Sequence, residues 1–145
     1  MEIKKVLVPV DFSENSKKIL EAAGYFSGKC EAELHVVFVV QSFDDYSGFF
    51  VPHMPVAKFE DEMVQAAEKK MENFMAEQGD VMTKVLVGDV AEEIIRHAEE
   101  TGIDMIIMGT HGYKGLEKVM FGSVAEKVVR SSPCPVLTIN PYKNL

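Results

Sequence analysis

The chain has 145 residues, a length typical of one domain that buries about 70% of the surface its unfolded form exposes. Its apolar content of 47% is that of a globular protein, and its net charge of −8 argues against nucleic acid or an anionic membrane as a general partner. No apolar run approaches the roughly 20 residues of a membrane-spanning helix, and the first residues lack a signal-peptide pattern. We therefore expect a single domain over residues 1–145, located in the cytoplasm.

The chain has two cysteines, Cys30 and Cys134, which lie far apart and in different predicted elements. No CxxC pattern and no cluster of His and Cys indicates a structural metal site. We expect both thiols to be reduced and structurally passive, as is usual in a cytoplasmic protein.

Five short apolar runs alternate with four amphipathic stretches, a pattern that predicts a parallel β-sheet with helices on both faces. The runs cover residues 5–10, 34–40, 81–87, 104–108 and 136–139. The first, second and fourth are almost continuously apolar, as in strands buried on both faces. Thr83 and Lys84 place the third run towards an edge. Pro9 lies close to the end of the first run, where its missing N–H costs less.

Apolar residues recur at helical spacing between these runs. The first helix is predicted to start near Ser13, and the second to extend for about twenty residues. The apolar faces are formed by Ile19, Leu20, Ala22, Ala23 and Phe26; by Phe59, Met63, Ala67, Met71 and Phe74; by Val90, Ala91, Ile94, Ile95 and Ala98; and by Val124, Ala125, Val128 and Val129. The aromatic segment from Gln41 to Pro55 has no usable period, so we expect either a lid over a site or a contact with a partner subunit.

A glycine-rich segment, residues 109–124, joins the fourth strand to the last helix. Its glycines permit a sharp turn or a close approach to a ligand. Ser123, with Glu126 three residues on, is typical of a capping box that opens a helix. A strand, a glycine loop and a helix N-terminus together attract phosphate, and ligands of open α/β sheets bind at this end of the strands. The residues alone leave two interpretations open: a phosphate site, or an ordinary loop closed by glycine turns.

Asp11 follows the first strand and is expected at the same edge of the sheet as the glycine-rich segment. A carboxylate there can accept the hydroxyls of a ribose. The sequence Asp11-Phe-Ser-Glu14 also fits a capping box, and one carboxylate has lone pairs enough for both roles. Lys114 and Lys118 flank the glycine-rich segment and are either phosphate ligands or solvated side chains. We expect His111 to contribute its backbone N–H more than its ring.

The spacing Gly109-x-x-Gly112, nine residues, then Gly122-Ser123 resembles the G-2x-G-9x-G-[S/T] motif of ATP-binding universal stress proteins. The resemblance extends over essentially the whole chain, through residues 6–13, 34–36, 87–89, 105–112 and 132–137. It implies a Rossmann-like fold with five parallel strands in the order 3-2-1-4-5 and four helices. It also implies a homodimer formed through the last strand.

The same resemblance implies a site for ATP, or for ADP or AMP, together with Mg²⁺ or Mn²⁺. Asp11 would bind the ribose, Val36 would contact the adenine, and the glycines with Ser123 would hold the phosphates. The full implied site comprises Pro9, Val10, Asp11, Val36, Met108, Gly109, Thr110, His111, Gly112, Gly122, Ser123 and Val124.

Three functions are compatible with a sheet of this kind. The first is a nucleotide-dependent regulatory protein of the stress response, with at most slow ATP hydrolysis. The second is a dimerising partner module that binds no nucleotide. The third, an adenylating enzyme, is disfavoured because the chain has no SGGxDS, HIGH or KMSKS signature.

Overall fold

The computed structural model describes residues 1–42, 56–111 and 121–143. Its strands are β1 (Lys5–Pro9), β2 (Glu33–Gln41), β3 (Met82–Gly88), β4 (Met105–Gly109) and β5 (Val136–Ile139). Its helices are α1 (Glu14–Cys30), α2 (Val56–Phe74), α3 (Val90–Thr101) and α4 (Ser123–Ser131). All neighbouring strands are parallel, and their order is β3-β2-β1-β4-β5. The predicted sheet and its strand order are confirmed.

The two faces of the sheet are covered by different helices. Side chains alternate between the faces along each strand, so Leu7 packs against α3 and α4 while Val6 and Val8 pack against α1 and α2. All three are at most 1% exposed, which explains why the first run is apolar at successive positions. The strand ends at Pro9, as its place near the end of the run predicts.

The edges of the sheet are β3 and β5. The three residues that begin β3, Met82, Thr83 and Lys84, are all exposed, which confirms the edge position predicted for this run. At the other edge, β5 pairs with β4 alone among the described strands. None of the helices in the described ranges combines the length and the apolar character that crossing a membrane would need.

Candidate functional site

A cleft of about 260 Å³ lies at the carboxyl ends of β1 and β4. These strands are neighbours, but β1 continues into α1 on one face of the sheet and β4 leads to α4 on the other. Open α/β sheets bind ligands at such a reversal of strand order. The described lining consists of Pro9, Val10, Asp11, Asn15, Ser16, Ile19, Val90, Ile94, Met108, Gly109, Thr110, His111, Gly122, Ser123, Val124 and Ala125.

The Asp11 carboxylate is held in this cleft by two serines. Its Oδ1 atom accepts hydrogen bonds from the Ser13 N–H at 3.0 Å and from the hydroxyls of Ser13 and Ser16 at 2.5 and 2.7 Å. The Ser16 hydroxyl in turn accepts from the Asp11 N–H at 2.8 Å. Within the described part of the chain no donor reaches Oδ2, so that oxygen keeps its lone pairs for a ligand.

The interpretation of Asp11 as the N-cap of α1 is wrong. Ser13 is the N-cap, and its hydroxyl accepts from the Ser16 N–H at 3.2 Å. Glu14 does not complete a capping box either, because its carboxylate pairs with Lys17 at 2.9 Å. The physical reason is the left-handed backbone of Phe12, with φ 65°, which turns the chain so that Ser13 takes the capping position.

Packing of the Phe12 side chain stabilises the left-handed turn between β1 and α1. A left-handed conformation costs a residue with a side chain about 1–3 kcal/mol, so it persists only where packing determines it. The Phe12 ring lies 4.5 Å from the ring of Phe38 and 5.6 Å from that of Phe74. These contacts hold Phe12 on the α1/α2 face, and they thereby fix the position of Asp11 beside it.

The two ends of the glycine-rich segment are tied together at the carboxyl end of β4. The Thr110 N–H donates to the Ile139 carbonyl at 2.9 Å, and the Gly122 N–H donates to the Thr110 carbonyl at 2.7 Å. A Cβ at Gly122 would lie 3.1 Å from that same carbonyl oxygen, and a Cβ at Gly109 would lie 3.2 Å from the His111 carbonyl oxygen. Both positions therefore leave little room for a side chain, and glycine permits this close backbone approach.

The N-terminus of α4 lies in the cleft without a capping side chain. The prediction that Ser123 caps this helix is wrong: Gly122 is the N-cap, and its carbonyl accepts the first helical hydrogen bond, from Glu126, at 2.9 Å. The Glu126 carboxylate binds Arg130 at 2.6 Å instead of folding back. The cause is the hydrogen bond from the Gly122 N–H to the Thr110 carbonyl, which holds Gly122 in the extended conformation of an N-cap. The helix therefore begins one residue earlier than predicted.

Because no side chain caps α4, the backbone N–H groups of its first turn are available as hydrogen-bond donors. In α1 and α3 the N-cap side chains of Ser13 and Asp89 each accept a backbone N–H. Within the described residues, no hydrogen bond uses the N–H groups of Ser123, Val124 or Ala125, and all three residues line the cleft. Free N–H groups and the positive end of the helix dipole make such a terminus a site for anions.

His111 lines the cleft, and its ring is held by two neighbouring side chains. The Nδ1 atom lies 2.6 Å from the Thr110 hydroxyl oxygen, and the ring stands edge-on to Tyr142 with 5.2 Å between centroids. The Nε2 atom is buried and has no hydrogen-bond partner within the described residues. That the backbone N–H of His111 contributes more than its ring stays a prediction, but the side chain also carries this buried polar atom.

A wider groove of about 1170 Å³ lies between α1 and α2 and shares Asp11 with the cleft. Its walls carry charges of both signs, including Lys17, Glu21, Lys70 and Glu77. No uncapped helix N-terminus opens into it among the described residues, so we place the candidate anion site in the smaller cleft.

Ten of the twelve implied site residues line the cleft. Val36 is fully buried among the residues packed on the α1/α2 face, and it is not part of the described lining. Its contact with adenine stays a prediction. Gly112 lies outside the described residues, as do Lys114, Lys118 and residues 43–55 of the aromatic segment.

The site implied by the sequence did not include the lining supplied by α1 and α3, or Ala125 of α4. Asn15, Ser16 and Ile19 come from the first turns of α1, and their position directly after Asp11 was a usable signal. Val90 and Ile94 come from α3, and nothing local in the sequence brings them to this edge of the sheet. Cys30 and Cys134 are both free thiols, as expected, and burial raises the pKa of Cys134.

Comparisons with known proteins agree with this fold. The model of the universal stress protein family matches residues 2–140. The universal stress protein MJ0577 of Methanocaldococcus jannaschii is 35% identical, over 94% of this chain and 94% of that protein. The solved structure of MJ0577 superposes with a TM-score of 0.81 at 31% identity and covers 100% of both chains.

Two more distant structures share the fold. One is a universal stress protein in complex with cAMP, with a TM-score of 0.63, 19% identity and coverage of 97% of this chain and 99% of that one. The other, from Archaeoglobus fulgidus, is in complex with dAMP, with a TM-score of 0.60, 20% identity and coverage of 97% and 100%.

Proposed function

The chain belongs to the universal stress protein family, and we propose that it is a nucleotide-dependent regulatory protein that binds ATP, or ADP or AMP, in the cleft between β1 and β4. One observation carries the proposal. The uncapped N-terminus of α4 and the available oxygen of Asp11 line the same cleft, at the point where strand order reverses.

The phosphates are assigned to the α4 side of the cleft. The N–H groups of Ser123 and Val124 are the donors there, and the Ser123 hydroxyl is a further one. Gly109 and Gly122 keep this wall free of side chains, so that phosphate oxygens can approach the backbone. Gly112 has the same role by resemblance to the family motif.

The nucleoside is assigned to the β1 side. The free Oδ2 atom of Asp11 accepts the ribose hydroxyls, and Pro9 and Val10 supply apolar surface beside it. The base would lie against this surface, with Val36 as the contact implied by the family resemblance. Support for a nucleotide in this fold comes from the relatives in complex with cAMP and dAMP.

We propose that a divalent ion is held mainly by the phosphates of the nucleotide rather than by side chains of the protein. Magnesium in nucleotide sites is held mainly by phosphate oxygens and water, with one or two carboxylates at most. Among the described residues no group of three or more His, Cys, Asp and Glu side chains could hold a metal ion. Mg²⁺ or Mn²⁺ would neutralise phosphate charge there, and we propose at most slow hydrolysis of ATP.

A second candidate, a dimerising partner module, is favoured by an apolar surface beside β5. Tyr25 is 62% exposed and Phe26 39% exposed, and they border a hollow shared with Leu137 and Ile139 of the edge strand. An unpaired strand edge next to exposed aromatic rings is suited to pairing with a second copy. We therefore propose a homodimer formed through β5, which either function could use.

Titration calorimetry with ATP and Mg²⁺ tests the proposed function. Wild-type protein should bind, and Gly122→Val should not, because its Cβ would lie 3.1 Å from the Thr110 carbonyl and its branches would occupy the phosphate wall. Gly79→Val is the matched control, since a Cβ there meets nothing within 4 Å. Binding by a folded Gly122→Val protein with wild-type affinity would contradict the assignment of the phosphate wall.

A further inference from the structure

The chain after β5 folds back onto α1. Residues Asn140–Lys143, here named the C-terminal turn, are closed by the Tyr142 N–H on the Asn140 side-chain oxygen at 3.0 Å. The Lys143 N–H also donates to the Asn140 carbonyl at 3.2 Å. Pro141 is fully buried, and its carbonyl accepts from the Lys18 ammonium of α1 at 3.2 Å. The C-terminal turn is thus attached to α1.

Tyr142 contacts both walls of the cleft. Its hydroxyl accepts a hydrogen bond from the Asn15 side-chain amide at 3.3 Å, and its ring meets the His111 ring in an edge-to-face arrangement with an interplanar angle of 77°. Asn15 and His111 both line the cleft, on the α1 side and the β4 side respectively. Tyr142 therefore connects two lining residues that are distant in sequence.

The His111 ring is held on two sides and has one polar atom without a partner. Thr110 contacts Nδ1, Tyr142 packs against the ring, and Nε2 is buried without a hydrogen bond within the described residues. A buried polar atom of this kind is costly until a partner satisfies it. His111 lines the cleft, so an oxygen of a ligand bound there is the candidate for this partner.

We propose that the C-terminal turn is part of the nucleotide site, with Tyr142 as the positioning residue that holds the His111 ring and the Asn15 amide against the bound ligand. The ligand class is an adenine nucleotide, and Nε2 of His111 hydrogen-bonds one of its phosphate or ribose oxygens. This inference rests on the proposed function and deepens it, since it assigns the support of two lining residues, Asn15 and His111, to the C-terminal turn.

Two variants of Tyr142 and one control variant test the proposal by calorimetry with ATP and Mg²⁺. Tyr142→Ala removes the ring contact and the hydroxyl, and should weaken affinity roughly tenfold. Tyr142→Phe keeps the ring against His111 and loses only the bond to Asn15, so its loss should be smaller, about two- to fivefold. Met82→Ala is the control, because Met82 is an exposed side chain at the opposite edge of the sheet and does not line the cleft.

A spectroscopic measurement distinguishes a positioning role of Tyr142 from a general structural role. In long-range ¹H–¹⁵N spectra, ATP should shift the Nε2 resonance of His111 in the wild type and in Tyr142→Phe. The shift should be lost in Tyr142→Ala. Thermal unfolding of each variant establishes that it is folded.

The outcomes distinguish this inference from the proposed function. If the wild type binds ATP while the His111 Nε2 resonance stays unmoved, or if folded Tyr142→Ala binds as tightly as the wild type, the inference is wrong and the nucleotide site stands. If the wild type shows no binding heat and no shift, both are wrong. A shift that depends on the ring at position 142 supports both.

Discussion

Ser123→Pro should weaken nucleotide binding while leaving the protein as stable as the wild type. Ser123 is the first residue of α4, a position where proline is favoured because its fixed φ is helical and its missing N–H has no partner within the helix. Gly122 before it has φ −63° and ψ 147°, the extended backbone that precedes proline most readily. The substitution therefore deletes one free donor and one hydroxyl without disturbing the fold.

The magnitude follows from the donor that is lost. A hydrogen bond to a charged group contributes about 1.5–3 kcal/mol, so loss of the N–H by itself should raise the dissociation constant for ATP about 10- to 150-fold, and loss of the hydroxyl should add to that. The free energy of unfolding should change by no more than about 1 kcal/mol, and in the stabilising direction if the backbone fits proline well. Calorimetry with ATP and Mg²⁺ measures the first quantity, and urea unfolding measures the second.

Glu14→Pro is the matched control. Glu14 is the first residue of α1, it follows an extended N-cap, and it does not line the cleft. It should leave ATP affinity unchanged. Equal affinity for wild type and a folded Ser123→Pro protein, or an equal loss in the two proline variants, would refute the assignment of phosphate to the α4 terminus.

Three further predictions concern the ribose, acid stability and the dimer. Asp11→Asn should weaken ATP binding in calorimetry but should leave the affinity for 2′,3′-dideoxy-ATP nearly unchanged; equal losses for both nucleotides would remove Asp11 from the ribose. The His97 pKa is lowered from its ordinary value of 6.5, by burial first and by Lys84 next. Neutral His97 therefore stabilises the fold above about pH 6.5, and this contribution should be lost as the pH falls through the lower pKa of the folded protein. Urea unfolding between pH 7 and pH 5 should show a loss that is reduced in His97→Gln, and identical pH dependence would contradict it. Leu137→Asp should give monomers on dilution in sedimentation velocity, whereas Met82→Asp at the opposite edge should not; a persistent Leu137→Asp dimer would place the interface elsewhere.

The sheet could be predicted because its strands carry a strong signal. β1 is buried on both faces, so Val6, Leu7 and Val8 are all apolar, and its end is marked by Pro9. β3 is exposed at its start, and Thr83 and Lys84 report that edge position directly. Burial on two faces, on one face or at an edge leaves its pattern in consecutive residues, and that pattern can be read without a structure.

The caps could not be predicted because they depend on contacts between distant residues. Gly122 becomes the N-cap of α4 through its bond to Thr110, twelve positions earlier in the chain. Ser13 replaces Asp11 as the cap of α1 because Phe12 turns into the left-handed region against Phe38 and Phe74. Capping-box spacing is local, so it offered a plausible residue in each case but not the correct one.

The α3 lining of the cleft and the contacts of Tyr142 could not be predicted for the same reason. Val90 and Ile94 reach the cleft only because α3 packs on the same face of the sheet as α4. Tyr142 contacts two lining residues, Asn15 and His111, because the C-terminal turn folds back onto α1. Neither contact has a spacing that a single sequence could reveal, whereas Asp11 and the glycines follow directly from the ends of two predicted strands.

An amide NMR titration with ATP and Mg²⁺ tests the central claim most directly. The ¹H–¹⁵N resonances of Thr110, Ser123 and Val124 should shift most, because their N–H groups lie at the carboxyl end of β4 and the start of α4. Leu34 and Asn73, which line the wider groove between α1 and α2, should shift little. The largest shifts at Leu34 and Asn73, or no shifts at millimolar ATP, would contradict the placement of the nucleotide in the cleft between β1 and β4.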